Sequence, residues 1–133
     1  MNYTLKEVCQ ILEMSEHTVR YYTDLNLFEV KRDQHNYRVF DEQALDWLRG
    51  VKYLRGLGMS LESIKKFHDL CMQDGDEAIV QRLQILQDQL IKANEELKQA
   101  QNRVQYLKHK IEKEEKILKH IIPDQQNPSK KKY

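Results

Sequence analysis

Apolar residues recur along the N-terminal half at helical spacing, interrupted once by strict alternation. Leu5, Val8, Ile11 and Leu12 follow Thr4-Leu5-Lys6-Glu7, a capping-box pattern, and predict a short helix to about residue 13. Met14 and Ser15 break it, and Ser15 caps a second helix over roughly 16–24, which makes the pair a helix-turn-helix candidate. From 28 to 40 the period changes to two. Phe28 and Val30 alternate with polar neighbours, as do Tyr37 and Val39, around Asp33-Gln34-His35-Asn36. This predicts a β-hairpin too short to stand alone, which must lean on the helices as a wing. Asp41 then caps a third helix whose broad apolar face is Ala44, Leu45, Trp47, Leu48, Val51, Tyr53, Leu54 and Leu57, ending at Gly58. Ser60 caps a fourth, carrying Leu61, Ile64, Phe67, Leu70 and Cys71, which Asp74-Gly75-Asp76 breaks.

The last helix has the strongest period. Ile79, Leu83, Leu86, Leu90, Ala93, Leu97, Ala100, Val104, Leu107, Ile111, Leu118 and Ile121 follow alternating steps of four and three, and only Glu114 interrupts, at a d position. A seam this narrow over about six heptads predicts a coiled coil, about 70 Å long over residues 76–122. Nothing else in the chain is long enough to cover it, so a second copy is the expected partner, with Leu83 to Leu118 of that set at the dimer interface. Val80, Ile85 and Ile91 widen the stripe near its start, where it is expected to pack on the N-terminal domain as well. Pro123 ends the helix, and residues 123–133, with Lys130-Lys131-Lys132, read as a disordered basic tail. The domains expected are therefore 1–73, 74–122 and 123–133. The fold class is mainly α: a winged helix-turn-helix with a small β-hairpin wing, then a long coiled-coil dimerisation helix.

Composition adjusts this picture only in places. Four Gly and two Pro in 133 residues leave little turn chemistry and favour helix. No apolar run approaches the ~18 residues of a membrane span and no secretory h-region opens the chain, so no membrane partner is expected and the location expected is cytoplasmic. Cys9 and Cys71 are too few for a disulfide framework. The net charge is only +1, and residues 1–70 carry 10 Lys and Arg against 11 Asp and Glu. A nucleic-acid surface would have to be a local patch, and Lys31, Arg32, Arg38, Arg49, Lys52 and Arg55 supply the cations for one.

Three fragments in order, HTVRYYTDLNLF, NYRVFDEQALDWLR and LRGLGMSLESIK, followed by a coiled coil, closely resemble the N-terminal domain of the MerR family. The resemblance covers Tyr3 to about Phe67 without an evident gap. Helix-turn-helix geometry places the second helix in the major groove, with Ser15, Glu16, His17 and Thr18 toward bases. Arg20 comes next, positioned for guanine O6/N7 or for a phosphate. The resemblance implies that Tyr21 donates its hydroxyl to phosphate while Tyr22 packs inward; two core aromatics are the alternative. The wing offers Arg32, Tyr37 and Arg38 for phosphate and minor-groove contact. Arg55 is either a further phosphate contact or a solvent-facing arginine. The family's wing turn usually reads Asn-Gly-Tyr-Arg, whereas this chain has His35-Asn36-Tyr37-Arg38, and Asn26 stands where glycine is common. Asparagine is the next-best residue for a positive φ, so the wing should survive. The family mechanism then implies a dimer, fixed by an antiparallel coil, on a pseudo-palindrome between promoter elements. It bends and untwists that DNA, and so affects RNA polymerase indirectly.

Metal-sensing members use cysteines at the start of the dimer helix and in a loop beyond its end. Here that start is Asp76-Glu77 and no cysteine follows Cys71, so neither a metal site nor any other cofactor is expected. His68 and Cys71 stand at i, i+3, but two ligands do not complete a tetrahedral site. Cys71 reads as a buried structural thiol, with a redox-responsive one as the alternative, and Cys9 as core or near-surface filler. Residues 123–133 are too few for an appended drug-binding domain. The rival readings are a DNA-architectural or phage-type winged-helix protein without promoter switching, and a coiled-coil adaptor. No nucleophile–base motif, glycine-rich phosphate loop or carboxylate pair supports an enzyme.

Overall fold

Four side-chain caps set the helix starts of the N-terminal unit. The computed structural model of the chain describes residues 1–125 and 127–130. Helix α1 (Leu5–Leu12) opens with a reciprocal box: Thr4 Oγ1 accepts from the Glu7 amide and the Glu7 carboxylate accepts from the Thr4 amide, each at 3.1 Å. It closes at Glu13 (φ 54°), with the Met14 amide turned back to the Cys9 carbonyl. Helix α2 (Glu16–Asp24) starts from Ser15, whose hydroxyl accepts from the Thr18 amide at 3.1 Å. Val8, Leu12 and Val19 are buried between the two. Ile11, predicted with them, is 46% exposed, because one residue is a 100° step and Ile11 lies that far round from Leu12.

The wing is a three-stranded antiparallel sheet ordered β1-β3-β2, with β1 at Tyr3–Thr4, β2 at Lys31–Arg32 and β3 at Arg38–Phe40. The hairpin pattern contained no third strand: Tyr3 pairs with Phe40 and Thr4 with Val39, adding an edge from the N-terminus. Phe28 and Val30, expected in the first hairpin strand, instead precede it and pack on the core. At the tip Asp33 Oδ1 accepts from the amides of His35 (2.9 Å) and Tyr37 (3.0 Å), an Asx-type turn that uses Asn36 at φ 64°. Asn26, after α2, also has positive φ, 56°.

Helix α3 (Glu42–Gly56) is capped by Asp41 and buries Ala44, Leu45, Leu48, Val51 and Leu54, while Tyr53 and Leu57, predicted on the same face, stay exposed, so the buried stripe is narrower than expected. Gly58 (φ +84°) donates to the Arg55 carbonyl and Met59 to that of Leu54, a Schellman closure. Helix α4 (Leu61–Cys71), capped by Ser60, buries Ile64, His68 and Leu70. Contrary to expectation Cys71 is exposed: it is the last residue of α4, beyond the packed stretch, with Arg82 Nη1 3.8 Å from its sulfur. His68 is buried instead, edge-on to Trp47 with ring centroids 4.3 Å apart. Two core clusters result, one around Phe40 and Leu48 and one around Val51, Met59 and Ile64, and Tyr22 packs against both.

Helix α5 (Asp76–Leu118) is 43 residues long. The first compact unit is Met1–Gln89, so it extends past residue 73 and takes in the opening turns of α5. Ile85 packs on the second core cluster and Gln89 Nε2 donates to the Leu57 carbonyl at 3.0 Å. Val80 and Ile91, expected beside Ile85, are 62% and 59% exposed.

The second unit begins at Leu90. Here α5 ends four residues short of the predicted Ile122. The Ile121 amide bonds to the Lys116 carbonyl (2.9 Å) and His120 (φ 59°) to that of Ile117 (3.0 Å), so a second Schellman motif closes the helix before Pro123 is reached. In the predicted tail, Pro128–Lys130 form one 3₁₀ turn, and Lys131, Lys132 and Tyr133 lie outside the described residues. Along α5 the seam residues Leu83, Leu86, Leu90, Leu97, Val104, Leu107, Ile111 and Leu118 are between 39% and 79% exposed. Ala93 is exposed and Ala100 half-buried. Glu114, at the seam's break, pairs with Lys110 at 3.2 Å. Among the described residues no helix is long and apolar enough to cross a membrane.

Candidate nucleic-acid interface

Helix α2 turns a polar face outward. Ser15, Glu16, His17 and Arg20 are exposed and Thr18 is half-buried, its hydroxyl 2.8 Å from that of Ser15. Arg20 Nη2 lies 3.2 Å from Glu16 Oε2, with both side chains about half exposed, so this surface pair is weak and exchangeable. Tyr21 is 48% exposed and stands 5.7 Å, centroid to centroid, from the inward Tyr22. Tyr22 packs inward and Tyr21 faces outward, the orientations that the resemblance implied.

The wing holds its cations differently. Arg32 is exposed and donates to the Asn36 carbonyl at 3.0 Å, bracing the tip. Tyr37 is 70% exposed, its ring 6.4 Å from that of His35. Arg38 is not free at the tip: its side chain is mostly buried and Nη2 donates to Asp24 Oδ1 at 2.9 Å. A groove between α2 and the wing is lined by Lys6, Glu16, Arg20, Arg32, Tyr37 and Arg38, among others. The fold thus gathers Arg20, Arg32, Tyr37 and Arg38 in one groove, with Ser15, His17, Thr18 and Tyr21 elsewhere on α2. Lys6 is the member that sequence reasoning missed. The available signal was a lysine in the first turn of α1, where the helix dipole disfavours a cation.

Other basic residues in the expected patch are committed internally. Arg55 Nη1 donates to the Met59 carbonyl at 2.6 Å, bracing the turn between α3 and α4, and Lys52 Nζ donates to the Leu12 carbonyl at the end of α1. Arg49 pairs with Asp46 at 3.0 Å, but both side chains are exposed, so this pair is as exchangeable as that of Arg20. Tyr3 donates to Glu42 Oε1 at 2.7 Å, tying β1 to the start of α3, and this bond holds the phenol above its ordinary range. Burial raises the Cys9 thiol, which keeps it protonated and unreactive. Burial lowers the His68 imidazole, against an opposing pull from Asp69. Among the described residues no group of three or more His, Cys, Asp or Glu side chains is placed to hold a metal ion.

A capped helix pair and a three-stranded wing define a winged helix-turn-helix module, followed by a long helix with an apolar seam. The family model for the MerR HTH family regulatory protein matches residues 3–70, half the chain, and the protein belongs to that family. It is 34% identical over 90 residues to an uncharacterised HTH-type transcriptional regulator of Haemophilus influenzae; the match covers 67% of this chain and 66%, just under two thirds, of that relative's length. It is also similar to the crystal structure of HiNmlR, a MerR family regulator lacking the sensor domain, bound to promoter DNA. There the TM-score is 0.66 at 29% identity, covering 88% of this chain and 89% of that one. A MerR family transcriptional regulator from Bacillus thuringiensis gives a TM-score of 0.63, also at 29% identity, covering 85% and 99%. These proteins are regulators and not enzymes.

Proposed function

We propose that this protein is a sequence-specific transcription regulator that binds a pseudo-palindromic promoter operator as a homodimer and deforms the DNA. The observation that carries the reading is the groove in which α2 and the wing present Arg20, Arg32 and Tyr37 together. It is supported by the similarity to a family member bound to promoter DNA. In this reading Ser15, His17 and Thr18 meet base edges at the N-terminus of the recognition helix, and Arg20 takes guanine or a flanking phosphate. Tyr21, Arg32, Tyr37 and Lys6 hold the backbone. Arg38 and Arg55, engaged within the protein, support the wing and the end of α3.

The second copy follows from the seam. A run of half-exposed aliphatics at heptad spacing is an open coiled-coil face, and an identical helix fits it. Two recognition helices fixed by that coil would read two half-sites, and bending the DNA between them costs about 1–6 kcal/mol, which wing contacts from both chains offset. The effect on RNA polymerase is then indirect, through the realigned promoter, and the protein works in the cytoplasm.

Footprinting on the DNA upstream of its own gene tests this. The expected result is salt-sensitive protection of an inverted repeat, with enhanced cleavage at its centre where the duplex is deformed. Protection without dyad symmetry would refute the homodimeric operator, and absence of salt-dependent binding would refute DNA recognition altogether.

A further inference from the structure

Asp24 is the last residue of α2, where a carboxylate meets the negative end of the helix dipole, and no basic residue shares that turn. A residue that breaks a local rule finds its compensation elsewhere. Here it is Arg38 on β3, whose Nη2 donates to Asp24 Oδ1 at 2.9 Å across 14 positions of sequence. The arginine is the sunken partner: its side chain is 17% exposed against 66% for the aspartate. Its Nε is buried and, among the described residues, has no hydrogen-bond partner, so Asp24 is the contact that compensates the desolvated guanidinium.

The strand register adds a second reason. Arg32 on β2 and Arg38 on β3 are direct cross-strand partners. Like charges in that position repel. Arg32 resolves the conflict by donating to the Asn36 carbonyl, and Arg38 by leaning to Asp24.

We infer that the Asp24–Arg38 pair is the tie that sets the wing against the recognition helix. Asp24 is then a positioning residue that determines operator specificity without itself meeting DNA. The inference about specificity rests on the DNA-binding reading above; the inference about the wing does not. A helix that reads bases and a wing that grips phosphate must arrive together, and this tie fixes their spacing. Freed from Asp24, the Arg38 guanidinium at the groove wall turns toward the duplex and adds a phosphate contact that is indifferent to sequence.

The test compares the full-length wild type with Asp24→Asn, Arg38→Gln and the double variant, by hydrogen exchange of free protein and by binding to operator and random duplexes across salt. In Asp24→Asn the backbone amides of residues 31–40 exchange about tenfold faster. The operator-to-random affinity ratio falls about tenfold, and the salt slope steepens by about one. Arg38→Gln shares the faster exchange and the lost discrimination but keeps the wild-type slope, and the double variant is no worse than either single one. Unchanged wing exchange in Asp24→Asn overturns the tie, whatever the DNA result. A slope flattened by about one in Arg38→Gln, with Asp24→Asn silent, overturns it in favour of direct phosphate contact by Arg38. If the wild type shows no salt-dependent binding, the regulator reading fails while the exchange comparison still decides the tie.

Discussion

Replacing Leu97 and Val104 together by aspartate should separate the proposed dimer. Leu97 is 56% exposed in the single chain and Val104 47%. Full burial of such a side chain is worth about 1.5–3 kcal/mol, so a partner that covers the exposed half returns about 1 kcal/mol at each position. Aspartate forfeits that gain and asks the interface to desolvate a carboxylate, which costs at least about another 1 kcal/mol even where water reaches it. Symmetry repeats both changes in the second chain. Four sites at about 2 kcal/mol each shift the dimer by about 8 kcal/mol, more than five powers of ten in Kd. Sedimentation equilibrium at micromolar concentration should therefore report a monomer, and operator binding should become very weak. Fluorescence of Trp47, the single tryptophan, follows the folding of the N-terminal unit independently. Asn102→Asp, at an f position on the far side of the same helix, should leave the dimer intact. A double-aspartate protein that still sediments as a dimer would refute the seam.

Three further outcomes are expected. Arg20→Ala should weaken operator affinity by about 1–3 kcal/mol, and operator discrimination unchanged in a gel-shift titration would remove Arg20 from base reading. Burial holds His68 below its ordinary value of 6.5. Below that pH the unfolded chain takes up a proton that the native pocket refuses, so stability falls as pH drops toward the folded value and levels off beneath it. Denaturant melts between about pH 7.5 and about pH 5 should show that loss, and a slope unaltered in His68→Leu would assign it to other groups. Lys52→Met removes the bond to the Leu12 carbonyl and should cost about 1–2 kcal/mol of stability with no change in the salt slope of DNA binding; a flatter slope would return Lys52 to the interface.

Much of the fold was legible because its boundaries are written in side chains. Thr4, Ser15, Asp41 and Ser60 each accept the amide that a capping residue should accept. Strand β1 was not legible, since two residues cannot display a period and Tyr3–Thr4 become a strand only when β3 arrives beside them. The end of α5 was misread for a related reason. Its closure is a backbone motif at His120, with no glycine to announce it, and Pro123 offered a louder stop. The site divides in the same way. The outward positions of Arg20 and Tyr37 follow from helix and hairpin geometry, and that of Tyr21 from the family resemblance. The engagement of Arg38 with Asp24 and of Lys52 with Leu12 depends on partners 14 and 40 residues away, which no local pattern contains. Cys71 fits the apolar pattern of α4 but lies beyond the part of that helix which has anything to pack against.

The internally committed cations carry a consequence for the cell. Arg38, Lys52 and Arg55, three of the eleven Lys and Arg of Met1–Gln89, are bonded to protein groups and so are withheld from an arbitrary duplex. In the DNA-binding reading, each cation so withheld weakens the grip on random sequence and reduces the share of copies that the chromosome's vast excess of competing sites titrates away. On that reading fewer copies per cell keep an operator occupied, and occupancy follows copy number more closely because a smaller reservoir is parked on bulk DNA.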